Sequence, residues 1–418
     1  NEVYNWDPAL QWMKLETPIV GNYGGSNNPL DYYGTVESNY LGINATGDFA
    51  YPDGAYGVMS WWDYGHWITL RAERIPVSNP FQEGAVVSAN YLLSQSESES
   101  ESILSDIDDG SGVRYVVLDW QIVSSGAKLH GPATFKEGVS VKDYQNYLLK
   151  QVPGGYELRH ILHPSSYYHS QMVRLYHYHG SSITPAPVVI DWESIPGLDS
   201  KYYKLSPTVS ENSPENLFTV FDTIEEAQNF TQENPTSQIG GIGTFSTESV
   251  PALKHYRLVY ATPNAIQISP YYVHTTSSWV KIFERVPGAT ITGTAPPNTP
   301  ISGVVAMHVP TTNSTFRYIQ HTASDASGKF TMVVPYSTID YDELGPQDGY
   351  TNVDVRAVGP YYITTEFGTY SGTIHVPDSS VNGIGPELTI DLKKDFFELC
   401  NCVWDSDIGT IIPEKNTP

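Results

Sequence analysis

The sequence predicts a mixed α/β (α+β) core domain followed by an all-β sandwich, and three observations carry that prediction. Two apolar runs, VRYVVLDW at 113–120 and PAPVVIDWE at 185–193, read as buried strands. They end in Asp119 and Asp191, in the manner of parallel strands feeding loops. Helix-like segments surround them, and TIEEAQNF opens with Thr223 and Glu226 at capping-box spacing. After WVKIFERVPGATITG the texture changes to short alternating runs separated by Gly, Pro, Asn and Asp turns, which predicts a sandwich of roughly seven strands.

The elements follow in order. Residues 1–290 form the core, with the word WWDYG at 61–65 and an embedded β-rich insertion. Its helix candidates are the stretch from Gly65 to Arg74, ANYLLSQ, VKDYQNYLLKQV and TIEEAQNF. The acidic run SQSESESESIL (94–104) is expected to be an exposed loop or a solvated helix end. The DIDDGSG just after it lacks the ligand ladder of an EF-hand. Residues 291–395 are the sandwich and 396–418 a tail, whose Cys400 and Cys402 are too close for an unstrained disulfide and too few for a zinc site.

Charge narrows the function classes. The chain has 418 residues, with 46 Asp plus Glu against 22 Lys plus Arg, a net charge of −24. That argues against nucleic acid and anionic membrane surfaces as partners, and suits a surface kept hydrated at high salt. The opening residues, NEVYNWDPALQWMKLETP, have the texture of mid-protein sequence, so a soluble part of something longer is expected. Asn44, Asn229 and Asn313 each begin an N-x-T triplet, about the number that chance supplies.

The five residues Trp61, Trp62, Asp63, Tyr64 and Gly65 hold the most chemistry. Indole N–H groups only donate, and an ionised carboxylate only accepts. Two such donors and one acceptor converging on a point suit a hydroxyl, from Ser, Thr or a sugar. Tyr64 and Gly65 then turn the chain into the following helix. The structural alternative is a buried corner in which Asp63 caps that helix.

WWDYG resembles the signature pentapeptide of the catalytic subunit of oligosaccharyltransferase, the enzyme of asparagine-linked glycosylation. WDPALQWMKLETP ahead of it, HWITLRAERIPVSNPFQ behind it, VRYVVLD, VPALKHYRLVY and WVKIFERVPGATITG are similar to the archaeal branch, and with the acidic surface they point to a salt-adapted archaeon. The resemblance implies the C-terminal soluble domain of a membrane glycosyltransferase, lying on the extracytoplasmic face. Its partners would be an acceptor peptide bearing Asn-x-Ser/Thr, its own N-terminal transmembrane domain and, through that domain, a lipid-linked oligosaccharide. Trp61, Trp62 and Asp63 would bind the hydroxyl at the +2 position, with Tyr64 and Gly65 shaping the turn. The catalytic acids and a metal, Mg or Mn, belong to the membrane part. The soluble part would hold no catalytic residue, no metal and no cofactor, and would be inactive alone.

The family's second signature is an acid, a Lys three residues on and a Met or Ile four further. Its nearest match is SSYYHSQMVRLY, where Ser165 and Tyr168 replace acid and lysine, and Met172 survives to touch a threonine methyl. Hydroxyl capture is worth a few kcal/mol at ~0.5–1.5 kcal/mol per hydrogen bond, and one methyl adds about 0.8 kcal/mol, roughly a fourfold preference for Thr over Ser.

Other constellations point elsewhere. His160, His163, His169, His177 and His179 have zinc-compatible spacings without a matching carboxylate or cysteine set, and read as surface or satisfied histidines. Asp119 and Asp191 would suit a two-acid glycosidase pair only if they met, and read instead as loop caps. No phosphate loop, nucleophile elbow or HExxH helix is present. Two other classes therefore stand beside the transferase reading: an extracellular glycan-binding or surface-layer module, and a glycoside hydrolase.

Overall fold

The computed structural model describes residues 2–19, 38–39, 42–43, 54–107, 112–124, 128–185, 187–198, 202–206, 218–267, 276–394, 402–405 and 410–413. The core is organised on a five-stranded sheet in the order Tyr256–Ala261, Val280–Arg285, Val113–Asp119, Gly57–Met59, Ile75–Pro76. Val113–Asp119 is central because six of its seven residues are buried, as expected of a β-branched run covered on both faces. It runs parallel to Gly57–Met59 and antiparallel to Val280–Arg285, so the sheet is mixed.

The insertion is a second, six-stranded sheet with its own small core of Leu148, Leu162, Val188, Ile190, Trp192 and Ile242. Two expectations fail in it. Asn146–Val152, inside the run read as a helix, is a strand paired antiparallel with Gly155–Leu162. Only Val141–Asp143 keeps a helical turn. Val188–Ser194 has antiparallel neighbours only, and Asp191 lies in mid-strand, not at a strand end.

The acidic run departs from its expected solvation. Glu97–Ser105 is a helix, capped by the Ser96 hydroxyl, which accepts from the Glu99 N–H at 3.1 Å. Glu97 and Glu101, one turn apart, face the core: Glu97 accepts from the Lys254 and His255 N–H groups, and Glu101 accepts from the Tyr256 hydroxyl and pairs with Arg285. Residues 108–111 of DIDDGSG lie outside the described residues. Ile224–Glu233 carries the expected capping box of Thr223 and Glu226.

The sandwich sets a three-stranded sheet, Lys329–Val334, Ala289–Thr294 and Leu388–Asp391, against a six-stranded one built on Pro300–Val309 and Ser314–Ala323. Burial along Pro300–Val309 alternates over most of its length, and a Cβ on Gly303 would lie 2.6 Å from the Met332 sulfur of the opposite sheet. The sandwich shares one hydrophobic core with the main sheet. Their junction is sealed by Arg257, which donates to Glu284 at 2.8 and 3.0 Å and also pairs with Asp378. In the tail, Cys402–Asp405 and Thr410–Pro413 form a hairpin, while Cys400 lies outside the described residues, as does Asn44. Asn229 is exposed on its helix, and Asn313 is exposed in the turn between two sandwich strands.

Candidate functional site

The pentapeptide follows the strand Gly57–Met59 after one residue, Ser60, and that strand lies between Val113–Asp119 and the edge strand Ile75–Pro76. Trp62–Tyr64 form a single 3-10 turn, Gly65–Trp67 continue as helix, and the segment ends in a wide turn over Ile68–Ala72 with Glu73 at a left-handed φ of 54°. Gly65 is needed for close approach: a Cβ there would lie 2.1 Å from the Ser78 carbonyl oxygen. Asp63 sits inside the turn and makes no capping bond, so the helix-cap alternative fails.

Instead the Asp63 carboxylate is held by Lys128, with Nζ and Oδ2 2.8 Å apart. Lys128 also donates to the Tyr64 hydroxyl at 2.9 Å, and that hydroxyl donates to Asp119 Oδ2 at 2.6 Å. Trp6, from the first helix Glu2–Glu16, donates its indole N–H to the same carboxylate oxygen at 3.2 Å and stacks on the Tyr64 ring at 4.0 Å. Five side chains are thus linked from the first helix to Asp63, with Asp119 accepting from Trp6 and Tyr64, and Lys128 donating to Tyr64 and pairing with Asp63. Burial pushes the Asp119 carboxyl up to about 6, against the lowering pull of Tyr64 and Lys128.

Trp61 is buried, with the short helix His130–Phe135 against it: a Cβ on Gly131 would come within 3.0 Å of the indole, and Phe135 meets it edge-on at 5.6 Å. Trp62 is half-buried, and among the described residues its indole N–H has no hydrogen-bond partner although the nitrogen is shielded from water. An orphaned donor on the residue before a carboxylate that remains 25% exposed leaves hydrogen-bonding capacity in this turn.

Met172 is fully enclosed on the helix Gln171–Tyr176, which packs against Val113–Asp119 and the turn that follows it. A peptide methyl would reach it only after repacking. Ser165 donates to Glu248 at 2.6 Å, and Tyr168 is fully buried, its hydroxyl without a partner among the described residues. The lysine that stands against the pentapeptide is Lys128, which sequence reasoning missed. Its only sequence signal is a lone cation among small residues in SSGAKLHG.

All five histidines are partly exposed, and His160, His163, His177 and His179 each have a hydrogen-bond partner, as satisfied histidines do. His163, His177 and His179 are kept neutral by burial, His163 at about 4 and His177 at about 3. Asp119 and Asp191 belong to different sheets. Among the described residues no group of three or more His, Cys, Asp or Glu side chains could hold a metal ion. No helix among them is long and apolar enough to cross a membrane.

A mixed core sheet bearing this corner, joined to a sandwich, has the architecture of archaeal oligosaccharyltransferases. A crystal structure of the Archaeoglobus fulgidus enzyme tethered to an acceptor peptide containing the NVT sequon matches with a TM-score of 0.56 at 23% identity, over 93% of this chain and 43% of that one. The same organism's enzyme with an inhibitory peptide and a dolichol-phosphate matches with a TM-score of 0.55 at 21% identity, over 94% and 43%.

The chain belongs to the archaeal glycosylation protein B family. Residues 3–123 match the AglB core domain, and residues 288–385 match the archaeal glycosylation protein B long peripheral domain. Among curated relatives, the dolichyl-monophosphooligosaccharide–protein glycotransferase AglB of Haloferax volcanii is 44% identical over 87% of this chain. Dolichyl-phosphooligosaccharide–protein glycotransferase 3 of Archaeoglobus fulgidus is 29% identical over 93% of it. The chain spans 36% and 42% of the lengths of these two relatives.

Proposed function

We propose that this chain is the acceptor-reading part of an oligosaccharyltransferase that moves a lipid-linked oligosaccharide en bloc to the asparagine of Asn-x-Ser/Thr. The observation that carries the reading is the incomplete corner at 61–65. Among the described residues Trp62 has a buried indole N–H without a partner, and Lys128 fixes the carboxylate of the next residue, Asp63. A hydroxyl entering there donates to Asp63 and accepts from Trp62, completing both. Trp61 forms the wall, Tyr64 ties the turn to Asp119, and Gly65 permits its packing. An acceptor lacking the hydroxyl leaves the buried donor unsatisfied, which discriminates far more strongly than a missing methyl.

In this reading the intact enzyme sits in the cell membrane with this part on the extracytoplasmic face, joined to an N-terminal transmembrane domain. That domain engages the lipid-linked oligosaccharide and holds the magnesium or manganese and the catalytic acids. Residues of this chain bind and orient the acceptor, and the part alone is inactive.

The test is glycan transfer to a labelled Asn-x-Thr peptide by membranes carrying the full-length parent. Wild type should transfer, Asp63→Ala should lose most activity while staying folded, and the isolated chain should be silent. Equal transfer by a folded Asp63→Ala enzyme would reduce the pentapeptide to a structural corner and favour the glycan-binding reading.

A further inference from the structure

We infer that the cleft between the core sheet and the sandwich is a second binding site, which takes a small polyhydroxylated monocarboxylate with the Lys281 ammonium as its counter-ion. The cleft has a volume of about 620 Å³, within the roughly 300–1,000 Å³ of small-molecule pockets. It is separate from the pentapeptide: none of residues 61–65, Lys128 or Asp119 lines it. The inference does not depend on the function proposed above.

Lys281 projects from the strand Val280–Arg285 and is only 5% exposed. Its Nζ donates to the Tyr176 carbonyl at 2.7 Å and to His179 Nε2 at 2.8 Å, and lies 4.3 Å from the Tyr176 ring centroid. Neither partner is an anion, and among the described residues no Asp or Glu lines the cleft. A buried ammonium without counter-charge is among the costliest groups to keep in a protein interior, and in a chain of net charge −24 an acid could readily have been supplied.

The surrounding groups are set for an anion. His177 and His179 are held neutral by burial, and Tyr176 and Tyr178 are pushed up by it, so Lys281 is the one group of the cleft wall that changes charge near neutrality. Burial alone brings its amine down to about 7. His179 holds a left-handed φ of 52°, uncommon outside glycine, and its Nε2 meets the lysine. Sandwich residues lock that turn: the Tyr336 hydroxyl donates to the His179 carbonyl at 2.8 Å, and the Phe316 ring lies 4.2 Å from the imidazole. The site therefore needs both domains.

The lining gives the ligand class. Thr244, Ser277, Thr312, Ser314 and Thr315 contribute hydroxyls, and Phe245 and Phe316 contribute ring faces, around one ammonium. One cation balances a monoanion. Hydroxyls and ring faces suit the two sides of a polyol.

Calorimetric titration of the full chain at about pH 8, where the free amine is largely neutral, tests the proposal with gluconate. Acetate carries the charge without the hydroxyls, and sorbitol carries the hydroxyls without the charge. Gluconate should bind with proton uptake, since the anion favours the protonated lysine, and at least about tenfold more tightly than acetate or sorbitol. Lys281→Met should weaken gluconate binding by at least about tenfold. Acetate or sorbitol matching gluconate, a folded Lys281→Met chain binding as wild type, or no binding at millimolar gluconate would overturn it. If the variant does not fold, protection of wild-type Lys281 from reductive methylation by gluconate decides the matter, with no protection counting against the site.

Discussion

Two polar clusters on the core sheet show opposite solutions to holding charge away from water. At the junction with the sandwich, Arg257 is 1% exposed and Glu284 is fully buried, and every partner is in place. Glu284 also pairs with Arg114 and accepts from Thr351, and Asp378 accepts from Ser337 and Asn382. Burial would raise the Glu284 carboxyl, yet Arg257 and Arg114 outweigh it and hold it below the usual range. At the pentapeptide corner, Lys128 and Asp63 are 22% and 25% exposed, and the neighbouring Trp62 donor is unfilled. A saturated cluster joins two domains; an unsaturated one has capacity left for a ligand.

The sharpest way to break this contrast is at the saturated end. Arg257→Met strands two carboxylates and should cost about 3–5 kcal/mol in denaturant unfolding. Transfer by the intact enzyme should fall only with the folded fraction. A loss below about 1 kcal/mol would show the junction to be wetter than described.

Asp119 comes next, on the order of 3 kcal/mol. Its folded carboxyl titrates near 6, against about 3.9 in an unfolded chain, so the native state binds the extra proton between those values. Its contribution to stability is therefore present at low pH and lost as pH rises from about 4 to about 6. His163 and His177, kept neutral by burial, act in the opposite sense, losing stability as pH falls below about 6.5. Only the difference between variant and wild type isolates Asp119. Asp119→Asn should remove its part of the slope in stability measured across this range, and an unchanged difference would leave it outside the relay.

Lys128→Met sharpens the comparison from the open side. A part-exposed pair should cost about 0–1 kcal/mol of stability. Freeing Asp63 from its fixed position should still cut acceptor kcat/KM by about tenfold. Equal losses in stability and transfer would make Lys128 a packing residue. The smallest effect concerns Met172→Leu, a volume-conserving change worth under about 1.5 kcal/mol of stability. With Met172 fully enclosed, the Thr-over-Ser preference should stay unchanged, and a shift approaching about fourfold would put Met172 in contact with the acceptor methyl.

Much of this was legible in the sequence for physical reasons. The central strand announced itself by β-branched burial, the sandwich by alternation and turn residues, and the pentapeptide by its concentration of indoles around one acid. What escaped was set by distant partners. Lys128 lies 65 positions beyond Asp63, and its one local mark, a lone cation in SSGAKLHG, does not connect it to the pentapeptide. Asp119 looked like a loop cap, which it is for Ile122, but its main work is accepting from Tyr64 and Trp6. The strand Asn146–Val152 reads as helix because YLLKQV fits both periods; the Pro153–Gly154 turn that folds it onto its neighbour is the signal that decides for strand. The Ser/Glu run gave no hint that Glu97 and Glu101 would find N–H, hydroxyl and arginine partners across the core.

The central claim is that the corner is left open for a hydroxyl, and the indole N–H of Trp62 reports on it directly. In full-length enzyme labelled at tryptophan nitrogen, an Asn-x-Thr peptide should move the Trp62 indole proton downfield while an Asn-x-Val peptide does not. The Trp6 indole, already bonded to Asp119, should stay in place with both. Identical responses of Trp62 to the two peptides, or none to either, would contradict the account.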